Sequence, residues 1–178
     1  MNIRTATRGD AADIFRVRTS VDENHLSIEE LADLGITHDS VSGLLRSGEA
    51  HAWCAEVDGA VVGFSMARQP ERDVFALFVV PQFEGCGIGT LLLGAAVDWL
   101  RASGPKPIHL NTERTTKAFR FYINRAGARQ AHSKTEIPFW SSRVNSGSPP
   151  NKAPQPVPNR LTQSFHGTIW RHALRPQS

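Results

Sequence analysis

Gly85, Gly87 and Gly89 stand at alternate positions where an apolar run, VFALFVV at 74–80, gives way to a second apolar stretch, IGTLLLGAAVDWL at 88–100. Glycine allows positive φ and lets a ligand lie directly against the backbone. The first N–H groups of a helix starting there have no internal partners, so the turn suits an anion such as a pyrophosphate. A tight strand-to-helix turn needing glycine only for packing has the same pattern. Two phosphate-binding loops are excluded. An NTPase-type loop needs Lys and Ser/Thr after its last glycine, and the chain has Thr90 and Leu91. A dinucleotide fingerprint places its third glycine at the position of Thr90 and belongs in an early βαβ unit, not this far along the chain.

The elements that must hold this turn follow in chain order. Residues 2–7 (NIRTAT) alternate as a first strand, and Thr7 with Asp10 caps a helix with Ile14, Val17 and Val21 on its apolar face. Two short helices follow. One is capped by Ser27 and Glu30 and ends at Gly35, and the other runs from about His38 to Gly48. AHAWCAEV, Asp58-Gly59 and AVVGFSMAR predict a hairpin. The nearly continuous apolar run 74–80 predicts a central strand covered on both faces. After the glycines, Leu91, Leu92, Ala95, Ala96, Trp99 and Leu100 make a wide apolar stripe. A strand at 107–112, a helix at 116–125 carrying Ala118, Phe121 and Tyr122 inward, and two weak strands complete the pattern. Runs of antiparallel strands beside one crossover predict an α+β fold with a mixed sheet.

At 178 residues one domain with a real core is expected. The chain lacks a stretch of 18 apolar residues, so no helical membrane span is expected. The first residues, MNIRTATRGD, lack the apolar segment of a secretory signal. Two cysteines, Cys54 and Cys86, make no disulfide framework and fit a reducing cytoplasm. The net charge of +3 misleads, because residues 141–178 hold five Lys/Arg and no Asp/Glu. Residues 1–140 are slightly acidic, so the domain carries no nucleic-acid footprint. The Ser/Pro/Asn-rich stretch 141–160 has almost nothing to bury and is expected to be disordered. Beyond it, Leu161, Phe165 and Ile169 allow one or two basic amphipathic turns, a partner contact or merely a loose tail.

With Pro81 setting the frame, EGCGIG at 84–89 resembles motif A of the GNAT superfamily of acyl-CoA-dependent N-acetyltransferases, Q/R-x-x-G-x-G/A. Glu84 departs from the usual Gln or Arg. A carboxylate there repels a pyrophosphate unless it turns away or bonds loop N–H groups. AFRFYINRAG at 118–127 resembles motif B, A-x-x-F/L-Y-x-x-x-G, and the IRTATRGDA opening resembles the family's start. ENHLS, WCAEVDG, ALFV and T-x-K-A-x-x-FY are similar to one branch of uncharacterised acetyltransferases. The resemblance spans 2–140 and implies a three-layer α+β fold, a central mixed, mostly antiparallel sheet flanked by helices. Residues 141–178 stand outside it as the basic tail.

The resemblance also implies a reaction: an acetyl group moves from acetyl-CoA, as co-substrate, to an amine by direct attack in a ternary complex. The turn from Glu84 and Gly85 through Cys86, Gly87, Ile88 and Gly89 to Thr90 is then the pyrophosphate site. Leu77, Phe78 and Val79 run beside the pantetheine, and a backbone N–H near Val79 polarises the thioester carbonyl. Tyr122 matches the family's general acid. A phenol with a pKa of roughly 10 stays protonated at neutral pH and can protonate a leaving thiolate. Lys117 either reaches the phosphates or is solvated, and Thr115 stands where the family's helix-capping Asn is usual. The base that takes the amine proton is open among Asp73, Glu56, Glu23, His109 and His51. Asp22, Glu23, Asn24 and His25 either contact the acceptor or form a solvated helix end. Family members acting on protein N-termini carry a Glu where this chain has Leu110, which weighs against their substrates. Cys86 has no His near it in sequence, so a covalent acyl-enzyme is set aside. The acceptor is expected to be a small-molecule amine or a peptide; no metal is called for, and a homodimer is compatible. The rival reading is a non-catalytic acyl-CoA-binding domain whose tail engages a partner; acyl-CoA hydrolysis is a third.

Overall fold

The computed structural model of the protein describes residues 1–48, 50–112, 116–126, 129–131 and 134–137. Seven strands form one sheet in the order β1-β2-β3-β4-β5-β7-β6. They are β1 Asn2–Thr5, β2 Ala50–Val57, β3 Ala60–Arg68, β4 Asp73–Val79, β5 Ile108–Asn111, β6 Arg129–Ala131 and β7 Lys134–Ile137. The helices are α1 Ala11–Thr19, α2 Ile28–Asp33, α3 His38–Ser47, α4 Ile88–Ala102 and α5 Lys117–Ala126. Neighbouring strands are antiparallel except β4 and β5, which run parallel. The order along the chain is the one the sequence pattern predicts. The predicted disordered tail and Thr115 lie outside the described residues.

Local chemistry accounts for most boundaries. Ser27 and Glu30 exchange hydrogen bonds as a capping box, Ser27 N–H to Glu30 Oε2 at 2.8 Å and Glu30 N–H to Ser27 Oγ at 3.1 Å. Asp58 (φ 50°) and Gly59 (φ 79°) both take positive φ. That is the two-residue turn whose twist matches its flanking strands. Thr116 Oγ1 accepts the N–H of Phe119 at 3.1 Å and so caps α5.

The sheet is covered on both faces. On one, α4 buries Leu92, Ala96 and Leu100 completely, and Leu92 C=O accepts the Ser65 hydroxyl at 3.0 Å. On the other, α1 buries Ile14 and Val17. Each buried Leu or Ile contributes about 2 kcal/mol of apolar transfer. The functional consequence lies in how β4 is paired.

Val80 N–H donates to Val62 C=O at 2.9 Å. In an antiparallel ladder hydrogen-bonded pairs alternate with non-bonded ones. Phe78 opposite Phe64 and Ala76 opposite Met66 are therefore the bonded pairs, and the N–H and C=O groups of Leu77 and Val79 turn to the other edge. There β5 is no longer alongside, because β4–β5 pairing is confined to Asp73↔His109 and Val74↔Leu110. The register shifts at that point, Met66↔Ala76 being followed by Ala67↔Val74, which leaves Phe75 as a bulge. Arg72 closes the paired end. Its guanidinium donates to Ser103 Oγ at 2.8 Å and to the carbonyls of Gly104 and Lys106, both at 2.9 Å. Its own carbonyl accepts His109 N–H at 2.8 Å. β4 is thus paired with β5 at one end only, and from Ala76 to Val79 it runs on without β5 alongside.

Candidate active site

A cavity of about 330 Å³ opens beside the part of β4 that β5 does not pair. Leu77, Phe78 and Val79 form its wall on β4, and Glu84, Gly85, Gly87, Gly89 and Thr90 come from the turn into α4. Lys117 and Tyr122 enter from α5, Glu23 and Asn24 from the loop after α1. Segments spread over a hundred residues of sequence converge here around the central β4, against which α1 and α4 pack.

The turn leaves its backbone open to the cavity. Gly85 and Gly87 have φ of +77° and +83°, and a Cβ added at either would meet nothing within 4 Å. Their conformation, not crowding, requires glycine. The amides of Ile88 and Gly89 at the start of α4 have no acceptor among the described residues, as expected for the first turn of a helix. Ile88 itself sends its side chain into the core at 1 % exposure, so only its amide faces the turn. Cys86 is exposed and points its thiol at Glu84 C=O, 3.7 Å away.

Charge in the cavity is arranged in pairs. Lys117 Nζ donates to Glu84 Oε2 at 3.3 Å. The carboxylate expected to repel a pyrophosphate is therefore turned to a lysine. Glu23 takes the Lys117 N–H on both carboxylate oxygens, at 2.9 and 3.2 Å. Tyr122 is 5 % exposed, and its burial raises the phenol well above the ordinary tyrosine range. Its hydroxyl has no hydrogen-bond partner among the described residues, although the residue lines the cavity.

The candidate bases separate. Asp73, read from sequence as a base or a strand-end surface charge, is neither free nor exposed. Arg68 donates to it through Nε at 3.0 Å and Nη2 at 2.6 Å, and both residues are buried. Glu56 accepts Arg4 Nε at 2.9 Å at the far side of the sheet. His51 packs against the rings of Trp53 and Trp99, at centroid distances of 4.8 and 5.1 Å, and burial lowers its pKa. His109 sits opposite Asp73 where β4 and β5 pair. Of the five, Glu23 alone lines the cavity. Asp22 and His25 are exposed outside it. Val21, Phe83, Ala118 and Phe121 also line the cavity. The sequence pattern reads Val21, Ala118 and Phe121 only as core, since an apolar residue facing a cleft has the same periodicity as one facing a neighbouring element. Phe83 carries no signal at all.

Compared with known proteins, residues 11–128 match the model of the Acetyltransferase (GNAT) family. The chain belongs to the GNAT acetyltransferase family. It is 29 % identical over 136 residues to an uncharacterized N-acetyltransferase of Archaeoglobus fulgidus, covering 70 % of this chain and 90 % of that relative. Its fold is similar to the crystal structure of PaiA N-acetyltransferase from Thermoplasma acidophilum in complex with coenzyme A. The TM-score is 0.63 at 16 % identity, over 76 % of this chain and 95 % of that one. It is also similar to the ribosomal-protein-S18-alanine N-acetyltransferase from Escherichia coli, with a TM-score of 0.61 at 13 % identity, over 83 % and 97 % of the two chains. As a GNAT acetyltransferase the chain is an acyltransferase, and acetyl-CoA is its acyl donor. The site fits that donor. The open positive-φ turn and free helix amides suit a pyrophosphate, and the unpaired edge of β4 suits an amide-bearing chain lying alongside as an extra strand.

Proposed function

We propose that the protein transfers the acetyl group of acetyl-CoA directly to the amine of a small molecule, in a ternary complex. Bound acetyl-CoA supplies an activated thioester, and the remaining work falls to residues of the chain. The amides from Gly85 to Thr90 hold the pyrophosphate, with Lys117 beside them. The Val79 N–H, on the edge of β4 that β5 does not pair, donates to the carbonyl oxygen as negative charge develops on it. Glu23 takes the amine proton, directly or through a water molecule. Tyr122 donates its proton to the departing sulfur. The observation that carries this reading is the partnerless Tyr122 hydroxyl in a cavity walled by the free edge of β4. A core tyrosine would have found a backbone acceptor.

A small acceptor is favoured over a protein N-terminus. Leu110, where N-terminal acetyltransferases of the family carry a Glu, is fully buried in this chain. The free thiols of Cys54 and Cys86 support a reducing, cytoplasmic setting. Tyr122→Phe tests the assignment, with thiol release and acetyl-CoA titration measured on the same preparation. Turnover is expected to fall about 100-fold with acetyl-CoA affinity unchanged. Equal turnover removes Tyr122 from the mechanism. A wild-type protein that binds acetyl-CoA but acetylates no amine supports the non-catalytic binding domain instead.

A further inference from the structure

Arg18 is 2 % exposed and heads the largest fully buried side chains. All three of its guanidinium nitrogens lack a hydrogen-bond partner among the described residues. Burial pulls its pKa down to about 10, which still leaves it cationic at neutral pH. No carboxylate of its own helix region is available to it. Asp10 is held by Arg4 and Thr7, and Asp13 by Arg16. A buried charge left without counter-charge is strongly unfavourable, and proteins rarely keep one without use for it.

Its stacking partner indicates the use. The Arg18 guanidinium lies over the ring of Phe78, 4.7 Å from the centroid. Phe78 and Val21, one turn further along from Arg18, both line the cavity. The cation therefore stands directly behind the cavity wall. It is on the α1 face of the sheet, whereas the glycine turn belongs to α4 on the opposite face. That separation removes the phosphates of the acyl donor as its counter-ion.

We propose that Arg18 binds a carboxylate of the acceptor, which makes the acceptor a small amine bearing a carboxylate, of the α-amino-acid type. This rests on the acetyltransferase reading above and deepens it. The half-buried Phe78 ring turns aside to admit the carboxylate, which takes the planar guanidinium fork side-on. A single cation in apolar surroundings matches a monoanion; a phosphate dianion would remain under-compensated. With its carboxylate on Arg18, the acceptor's amine lies toward the β4 edge and the Glu23 side of the cavity.

The test is thiol release with the standard α-amino acids, each paired with its own carboxamide. At least one acid is expected to turn over with kcat/KM tenfold or more above its amide. Arg18→Met should abolish that preference through KM, while its melting temperature does not fall, since an uncompensated buried charge has been removed. Acids and amides acetylated alike, or a preference that survives in Arg18→Met, overturns the inference and leaves the acetyltransferase reading standing. Acetyl-CoA binding without turnover of either set overturns it as well. Absence of acetyl-CoA binding by the folded protein overturns both.

Discussion

The Glu23 carboxylate receives the backbone N–H of Lys117 on both oxygens, at 2.9 and 3.2 Å, across 94 residues of chain. The loop after α1 thereby caps a helix it does not adjoin, and a negative charge meets the positive end of that helix. The loop after α1 and helix α5 are joined through one side chain.

Glu23→Ala is expected to cost about 1 kcal/mol and to speed amide exchange at the start of α5. Glu23→Gln keeps an oxygen acceptor for that N–H but cannot take a proton. It should melt within a degree or so of wild type while kcat falls about 100-fold. Melting temperature and kcat measured together separate cap from base; an unchanged kcat in Glu23→Gln excludes the base role.

Glu84 and Lys117 are both substantially exposed, with side-chain exposures of 46 % and 63 %. Such a pair contributes little to stability. Glu84→Gln should leave the fold alone, release Lys117, and tighten acetyl-CoA binding by about twofold to fivefold at low salt. Gly87→Glu adds both strain at φ +83° and a second carboxylate, and should weaken binding at least about tenfold. Calorimetric titration reads both. Unchanged affinity in Gly87→Glu displaces the pyrophosphate from this turn.

Asp73 is held in a buried ion pair with Arg68. Removing it leaves a buried guanidinium, stacked on Phe75 at 4.8 Å, with the half-exposed Glu71 at 3.6 Å in place of its close partner. Asp73→Ala should lose about 3–5 kcal/mol of stability, read by urea unfolding. The pair Arg68→Met with Asp73→Leu should recover most of that loss, since two apolar residues leave no orphan charge. If Asp73→Ala were as stable as wild type yet inactive, Asp73 would return to the list of bases.

Asp10 accepts from Arg4 through Nη1 at 3.0 Å and Nη2 at 2.7 Å, and from Thr7 N–H at 2.6 Å. Its hydrogen bonds to Arg4 are the largest cause of a pKa lowered to about 2 from an ordinary 3.8. The folded value lies below the unfolded one. The stabilisation is therefore complete above roughly pH 4 and is lost as pH falls toward 2. Asp10→Asn should cost about 1–2 kcal/mol at pH 7, allowing for the partial exposure of Arg4, and remove that part of the acid limb. Unfolding midpoints between pH 7 and 2 provide the check.

Sequence alone determined the order of elements, both helix-capping boxes, the hairpin at Asp58-Gly59 and the glycine turn. Each is written in residues at most a few positions apart, where backbone sterics and local hydrogen bonds set the conformation. The family resemblance pointed to Leu77 to Val79, Lys117 and Tyr122, all of which line the cavity. Tertiary structure alone decided the partners. The union of Arg68 with Asp73, Glu84 with Lys117 and Glu23 with the α5 amide depends on how strands and helices pack, since electrostatic pairing acts through space and leaves no periodicity. The same holds for Arg18. In sequence it is one basic residue among several on a short helix; only the packing of α1 against β4 puts its charge behind Phe78 with no hydrogen-bond partner among the described residues.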